Sequence, residues 1–180
     1  IFAVGKSTDR QRAVWHGSRV SAAATTPPKP RHLADPTIFK YIELKDGAQL
    51  RVTRRDCRTW FDQLLLPESL RPYMARPSVS KDELMQHGLS ECEIQEMSRQ
   101  GCDCNSAWLW LLPRVWPMGF SYSSCVAQET LLNVVAEAGL TESNVLSPQC
   151  KLLGCFAKAF ALATDDLMLF SDQGPGRTLM

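Results

Sequence analysis

Ala163-Thr164-Asp165-Asp166-Leu167-Met168-Leu169-Phe170 is entered by an apolar run, Phe160 to Thr164, and left by another. Two short hydrophobic runs separated by two residues predict a β-hairpin. The favoured two-residue turns carry Asn-Gly or Asp-Gly, because both central positions need positive φ. Asp165-Asp166 is poor turn chemistry and sets two like charges side by side. A local rule broken at a hairpin tip points to a compensating role, and a divalent cation is the obvious compensation. Hard carboxylate oxygens suit Mg²⁺, which binds a few carboxylates together with substrate phosphates. A solvated turn with two incidental acids is the plainer alternative, and these eight residues leave both open.

Upstream, Leu50-Arg51-Val52-Thr53-Arg54-Arg55 leads into Asp56 after a Lys45-Asp46-Gly47 turn. On a strand, Leu50, Val52, Arg54 and Asp56 share one face. A carboxylate ending a buried strand, five residues before the aromatic Phe61, is a candidate for chemistry. A hydrogen-bonded Asp at a strand end explains it equally well. Strand pattern is expected from Phe39 to Phe61, with Ile42 and Leu44 alternating with polar residues. At the start of the chain, Phe2 and Val4 open a strand, Ser7-Thr8-Asp9 turns, and Ala13 to Trp15 returns. That hairpin sets Lys6 and Arg12 facing each other on its two arms, an unfavourable pairing unless an anion lies between them.

Residues 21–36 are small, polar and proline-rich, which predicts an extended connection. Residues 68–77 predict a helical turn and a short extended piece. Ser80 to Gln100 reads as helix broken near Gly88, with Glu91, Glu93 and Glu96 on a solvated face. Ala107 to Val115 reads as a strand. Then Pro117-Met118-Gly119-Phe120-Ser121-Tyr122-Ser123-Ser124 turns into a helix with Ser123 or Ser124 as N-cap. Ala127, Leu131, Val134, Val135 and Ala138 form its apolar stripe, Gln128 lies beside Ala127, and Gly139 stops it.

At 180 residues, one domain is the default, and no run approaches the length of a transmembrane helix. The chain opens on Ile1 with no signal-peptide pattern and closes through Gly174-Pro175-Gly176-Arg177, so it reads as a fragment of a longer protein. Seven cysteines at 57, 92, 102, 104, 125, 150 and 155 are odd in number and irregular in spacing. Cys102-x-Cys104 is too close for a zinc knuckle, and reduced thiols in a reducing, intracellular compartment are expected. The net charge of +1 hides an asymmetry. Residues 1–60 hold twelve Lys/Arg against five Asp/Glu, and residues 61–180 hold eight against fourteen. A basic half suits phosphates and an acidic half suits metal ions, although two halves neutralising each other would give the same balance.

Taken in order, the chain carries Phe2-x-Val4-x-Lys6 then Arg12, Asp56-x₄-Phe61, Pro117-x-Gly119-Phe120-x-x-Ser123-x₄-Gln128, and Asp165-Asp166 in a hairpin. This order resembles the reverse transcriptase family, the RNA-directed DNA polymerases of retroelements, over nearly the whole chain. Each motif is weak alone; four in the family's order are specific. The resemblance implies an α+β fold, with a ferredoxin-like antiparallel palm sheet backed by helices. It implies partial fingers over residues 1–40 and a palm over 41–180. Asp56, Asp165 and Asp166 are then the catalytic, metal-binding acids, acting with two Mg²⁺ ions or with Mn²⁺. Lys6 and Arg12 match the cations that hold the triphosphate, and Phe61 the aromatic beside the sugar of the incoming nucleotide. Gly119, Ser123 and Gln128 match the turn and helix bordering the template and nascent base pair.

The implied partners are an RNA or DNA template with its primer and a deoxynucleoside triphosphate, in the cytoplasm or nucleus and with no membrane. Thumb and RNase H regions are expected elsewhere in a longer polyprotein. The sequence departs from the family's pattern at Ala163, where an aromatic is usual, and at Met118, where many retroviral members have Gln. Its Ser80–Asn105 segment is also longer than a compact palm needs. A nucleic-acid-binding remnant without polymerase activity is the alternative reading, and a small structural domain with no nucleic-acid role is a third.

Overall fold

The structure, a computed structural model, describes residues 2–7, 10–98, 106–150 and 158–173. Its architecture is α+β, with helices and antiparallel sheets. The chain divides into two compact units, one of Ile1–Leu64 with Trp116–Met180 and one of Leu65–Val115.

In the first unit, β1 (Phe2–Ser7) and β2 (Arg10–Val14) form an antiparallel hairpin. Its register sets Arg12 opposite Val4, and Lys6 falls in an irregularity between Gly5 and Ser7. Lys6 and Arg12 are therefore not a directly opposed pair, contrary to the expectation from spacing. The tight turn that pairs Ser7 with Arg10 sets the ladder as Gly5–Gln11 and Val4–Arg12, which carries Arg12 past Lys6. The side chains of both lie outside the described residues.

A short helix α1 (Ser18–Ala23) follows. The Phe39–Leu44 strand pattern is overridden: Pro36–Tyr41 is a 3₁₀ helix. Asp35 caps it by accepting from the Thr37 N–H at 2.7 Å, and Pro36 stands in the first turn. Asp-Pro-Thr is a helix-start signal that outweighs two alternating apolar residues.

The central sheet is antiparallel, in the order β3 (Gln49–Asp56), β7 (Asp166–Gln173), β6 (Lys158–Ala163). β3 is an edge strand, and the burial expected of it is absent: Val52 is half exposed. One sheet face packs Phe160, Leu162, Leu167 and Leu169 against Leu131, Leu132 and Val135 of helix α5 (Ser123–Glu137). The other packs Ala159, Ala161, Met168 and Phe170 with Ile38 and Leu146. Helix α5 turns Val134 outward, so the buried stripe runs through Cys125, Ala127, Gln128, Leu131, Leu132 and Val135. It stops at Gly139, whose φ of +86° lets the Leu140 N–H reach the Val135 carbonyl.

The second unit opens and closes on an antiparallel bridge between Leu65 and Val115, with the Leu66 N–H donating to the Arg114 carbonyl at 2.9 Å. A 3₁₀ helix over Glu68–Met74 precedes β4 (Ser78–Ser80), which pairs with β5 (Trp108–Trp110). The expected strand of nine residues is thus three long. Helices α3 (Lys81–Gln86) and α4 (Glu91–Met97) break at Gly88, and each starts in a capping box, Ser80 with Glu83 and Ser90 with Glu93. Glu93 therefore does more than solvate a face. Its hydrogen bonds from the Ser90 side chain and backbone hold its carboxyl below the usual glutamate range. Leu66, Met74 and Ile94 supply the buried apolar side chains of this unit.

No helix among the described residues is long and apolar enough to cross a membrane.

Candidate functional site

Register decides the geometry of the acids. Leu162 must pair with Leu167 for both to face α5, which leaves Ala163 opposite Asp166 and makes Thr164-Asp165 the two turn residues. The expected Asp165-Asp166 turn is thus displaced by one residue, and Asp166 is the first residue of β7. On its other side Asp166 stands directly opposite Asp56, the last residue of β3. The ladder continues one step further, where the Cys57 N–H donates to the Asp165 carbonyl at 2.9 Å. Asp56 and Asp165, over a hundred positions apart, therefore lie on adjoining backbone segments.

Thr164 adopts a left-handed conformation with φ of +60°. A β-branched residue there is strained by about 1–3 kcal/mol, which persists only where its surroundings enforce it. Gln128 enforces it. Its side chain is fully buried; Oε1 accepts from the Thr164 N–H at 2.8 Å and Nε2 donates to the Arg31 carbonyl at 3.1 Å. Arg31 is in turn clamped to α5: its backbone N–H and Nε both donate to Glu129 at 2.9 Å, and Nη1 donates to Glu142 at 2.7 Å. Burial alone would raise the Glu129 carboxyl, but the Arg31 hydrogen bonds and charge hold it below the ordinary glutamate value. Gln128 thus acts on the acidic corner through the hairpin backbone, with both ends of its amide committed inside the protein.

The acidic corner itself is open. Asp56 and Asp166 are a directly opposed like-charge pair, an arrangement that destabilises a sheet. Arg54, two residues before Asp56 and on the same face, relieves it. Its Nε and Nη2 donate to Asp166 Oδ1 at 3.1 and 2.9 Å, and Nη2 also reaches Oδ2 at 2.9 Å. The half-buried Cys57 thiol is pushed up, by burial first and then by the charges of Asp165, Asp56 and Asp166. The thiol is therefore protonated at neutral pH.

Among the described residues no three His, Cys, Asp or Glu side chains gather into a ready-made cation cage. With Asp166 engaged by Arg54, Asp56 and Asp165 are the two acids of this corner with no ion pair to a described side chain. Two carboxylates from adjoining segments, completed by water and substrate phosphates, suit Mg²⁺ better than a closed protein cage does.

Phe61 is half-buried in α2 (Trp60–Gln63), which the Trp60 indole N–H pins to the Ala127 carbonyl of α5 at 3.3 Å. Gly119 has φ of +111°, and a Cβ there would come within 2.2 Å of the Trp15 carbonyl oxygen. Ser123 is buried and is not the helix cap, a position held by Tyr122. Its hydroxyl instead donates to the Pro117 carbonyl at 2.8 Å and closes the turn that Gly119 makes possible. Arg54, Arg31 and Cys57 escaped the sequence reading as parts of this site. An Arg two residues before a strand-end Asp was the visible signal for the first. Of the cysteines, 57, 92, 125 and 150 are free thiols, while 102, 104 and 155 lie outside the described residues. No family profile and no curated protein matches this chain.

Proposed function

We propose that this chain is the fingers-and-palm portion of an RNA-directed DNA polymerase of retroelement type, acting inside the cell on a primed RNA or DNA template and a deoxynucleoside triphosphate. The observation that carries this reading is the β3–β7 register, with Asp56 opposite Asp166 and Asp165 at the adjoining turn. In the resemblance, the acids of two motifs a hundred residues apart have to meet on neighbouring strands of an antiparallel sheet, and this register is consistent with that.

On this reading, Asp56 and Asp165 would hold two divalent cations, Mg²⁺ or Mn²⁺. Such ions would supply Lewis-acid activation of the primer 3′-hydroxyl and charge neutralisation at the leaving pyrophosphate. The protein's own part is positioning and charge. Asp56 and Asp165 orient oxygen ligands from two backbone segments, and Asp166 shapes the field beside them. Lys6 and Arg12 stabilise charge on the phosphates being transferred. Phe61 walls the sugar and disfavours a 2′-hydroxyl. Gln128 keeps the Thr164-Asp165 turn in its strained form. Ala163, the departure from the family's aromatic, stands opposite Asp166.

The test is incorporation of radiolabelled deoxynucleotide on a DNA-primed RNA template, with Mg²⁺ or Mn²⁺, by the chain and by its Asp165→Asn variant. Incorporation that is lost in the variant supports the reading; incorporation that survives the substitution overturns it. The lack of a ready-made cation cage among the described residues favours a second reading, a nucleic-acid-binding remnant without catalysis. That reading predicts salt-dependent binding of primer–template with no incorporation by either protein.

A further inference from the structure

We propose that the free edge of β3 is a docking site for an acidic, extended peptide segment of a partner protein, which adds to the central sheet as a further strand.

The backbone there is set out for a strand. β7 pairs with β3 along its whole length, Gln49–Asp56, and no described strand lies on the other side of β3. In an antiparallel pair, alternate residues exchange backbone hydrogen bonds with the partner strand. The Cys57 N–H donates to the Asp165 carbonyl, so the residues in step with Cys57, namely Arg55, Thr53 and Arg51, bond to β7. Leu50, Val52, Arg54 and Asp56 therefore turn their N–H and C=O groups outward. Among the described residues no backbone group hydrogen-bonds to them across that edge. Val52 is 49 % exposed, although the Phe170 opposite it is buried. The edge thus offers donors and acceptors in alternation, which a peptide main chain matches group for group. Nucleic-acid phosphates only accept, and would leave the outward carbonyls unpaired.

Charge selects the partner. Arg51 and Arg55 share the other face of β3 on either side of Thr53, about 13 Å apart at the rise of a strand. Both are exposed, and neither forms an ion pair with a described side chain. A second copy of β3 pairing antiparallel about Thr53 would set Arg51 opposite Arg55 twice, which keeps like edges apart. A strand with carboxylates at those two positions turns the same repulsion into two cross-strand ion pairs. An apolar residue between them, opposite Val52, would extend the apolar strip that begins with Phe170 and Phe39, whose rings meet edge-on at 6.2 Å. The segment that fits has two acids four residues apart, with an apolar residue beside one of them.

The probe is a fluorescein-labelled heptapeptide, Thr-Glu-Val-Thr-Val-Glu-Thr, which fits in either direction. Fluorescence anisotropy follows its binding to the 180-residue chain at low salt. A peptide with Gln for both Glu should bind about three- to tenfold more weakly, as should Arg51→Glu/Arg55→Glu with the original peptide. Val52→Pro removes one outward N–H and no bond to β7, and should weaken binding about five- to tenfold. Circular dichroism checks the fold of each variant. No saturable binding, or equal binding of the Glu and Gln peptides, overturns the proposal. Binding lost in the arginine variant but unchanged in Val52→Pro is plain charge attraction and overturns strand addition. Should Val52→Pro lose its fold, a peptide N-methylated at both valines decides, since those N–H groups face β3; undiminished binding of that peptide overturns the proposal. Oligothymidylate that binds through Arg51 and Arg55 where the peptide does not would assign the edge to nucleic acid instead.

Discussion

The two sides of the β6–β7 hairpin tip are built on opposite principles. Behind the turn, the buried Gln128 amide is satisfied at both ends, and Arg31 ties the same region to Glu129 and Glu142. In front of it, Asp56 and Asp166 face each other at the end of an edge strand, Asp165 sits in the turn, and one exposed Arg offsets the charge. The first side is organised to hold one conformation. The second keeps a like-charge pair offset by one exposed ion pair, an arrangement that a fold selected for stability alone would remove. The contrast teaches that the strain at Thr164 and the repulsion at Asp56 are borne by a scaffold rigid enough to impose them.

The largest effect should come from breaking the rigid side. Gln128→Leu keeps the volume but leaves the Thr164 N–H and the Arg31 carbonyl without partners, at a cost of about 2–4 kcal/mol. Urea denaturation checks this; a loss below about 1 kcal/mol would mean that water replaces the amide. Next comes the selectivity proposed for Phe61. Phe61→Val should raise ribonucleotide incorporation relative to deoxynucleotide roughly tenfold, in the range expected for reshaping an apolar wall. An unchanged ratio removes Phe61 from the sugar pocket.

The Arg31 clamp is smaller and depends on pH. Both partners are partly exposed, so solvent screening limits Arg31→Met to a loss of about 0.5–1 kcal/mol at neutral pH. Glu129 titrates below its ordinary value in the folded chain. Its contribution is therefore present above the unfolded glutamate pKa of about 4.3 and is lost as pH falls through the lower folded value. Wild type and Arg31→Met should converge in stability below that window, and a gap that persists in acid would assign the effect to packing. The smallest effect has the opposite sign. Asp56→Asn removes the repulsion facing Asp166 and should stabilise the fold by about 0.5 kcal/mol at low salt, shrinking as salt is added. A substitution that stabilises the fold while weakening Mn²⁺ binding would separate the two design principles in one residue.

Much of this was legible in the residues. Local pattern sufficed for the β6–β7 hairpin, the strand ending at Asp56, the helix closed by Gly139 and the break at Gly88. In each case the deciding signals lie within a few residues of one another. The sequence by itself also brought Asp56, Asp165 and Asp166 under suspicion, because like charges at a turn and a strand-end acid break local rules. Tertiary structure alone decided the rest. Which residues form the turn was set by the need for Leu162 and Leu167 to meet α5 together, a constraint from a helix some thirty residues away. Gln128 reads as one more polar residue beside an apolar stripe; that it braces a turn depends on burial, which no periodicity reveals. The pairing of Arg54 with Asp166 exists because β3 and β7 lie side by side in one register, and a shift by one residue would send Arg54 to the opposite face.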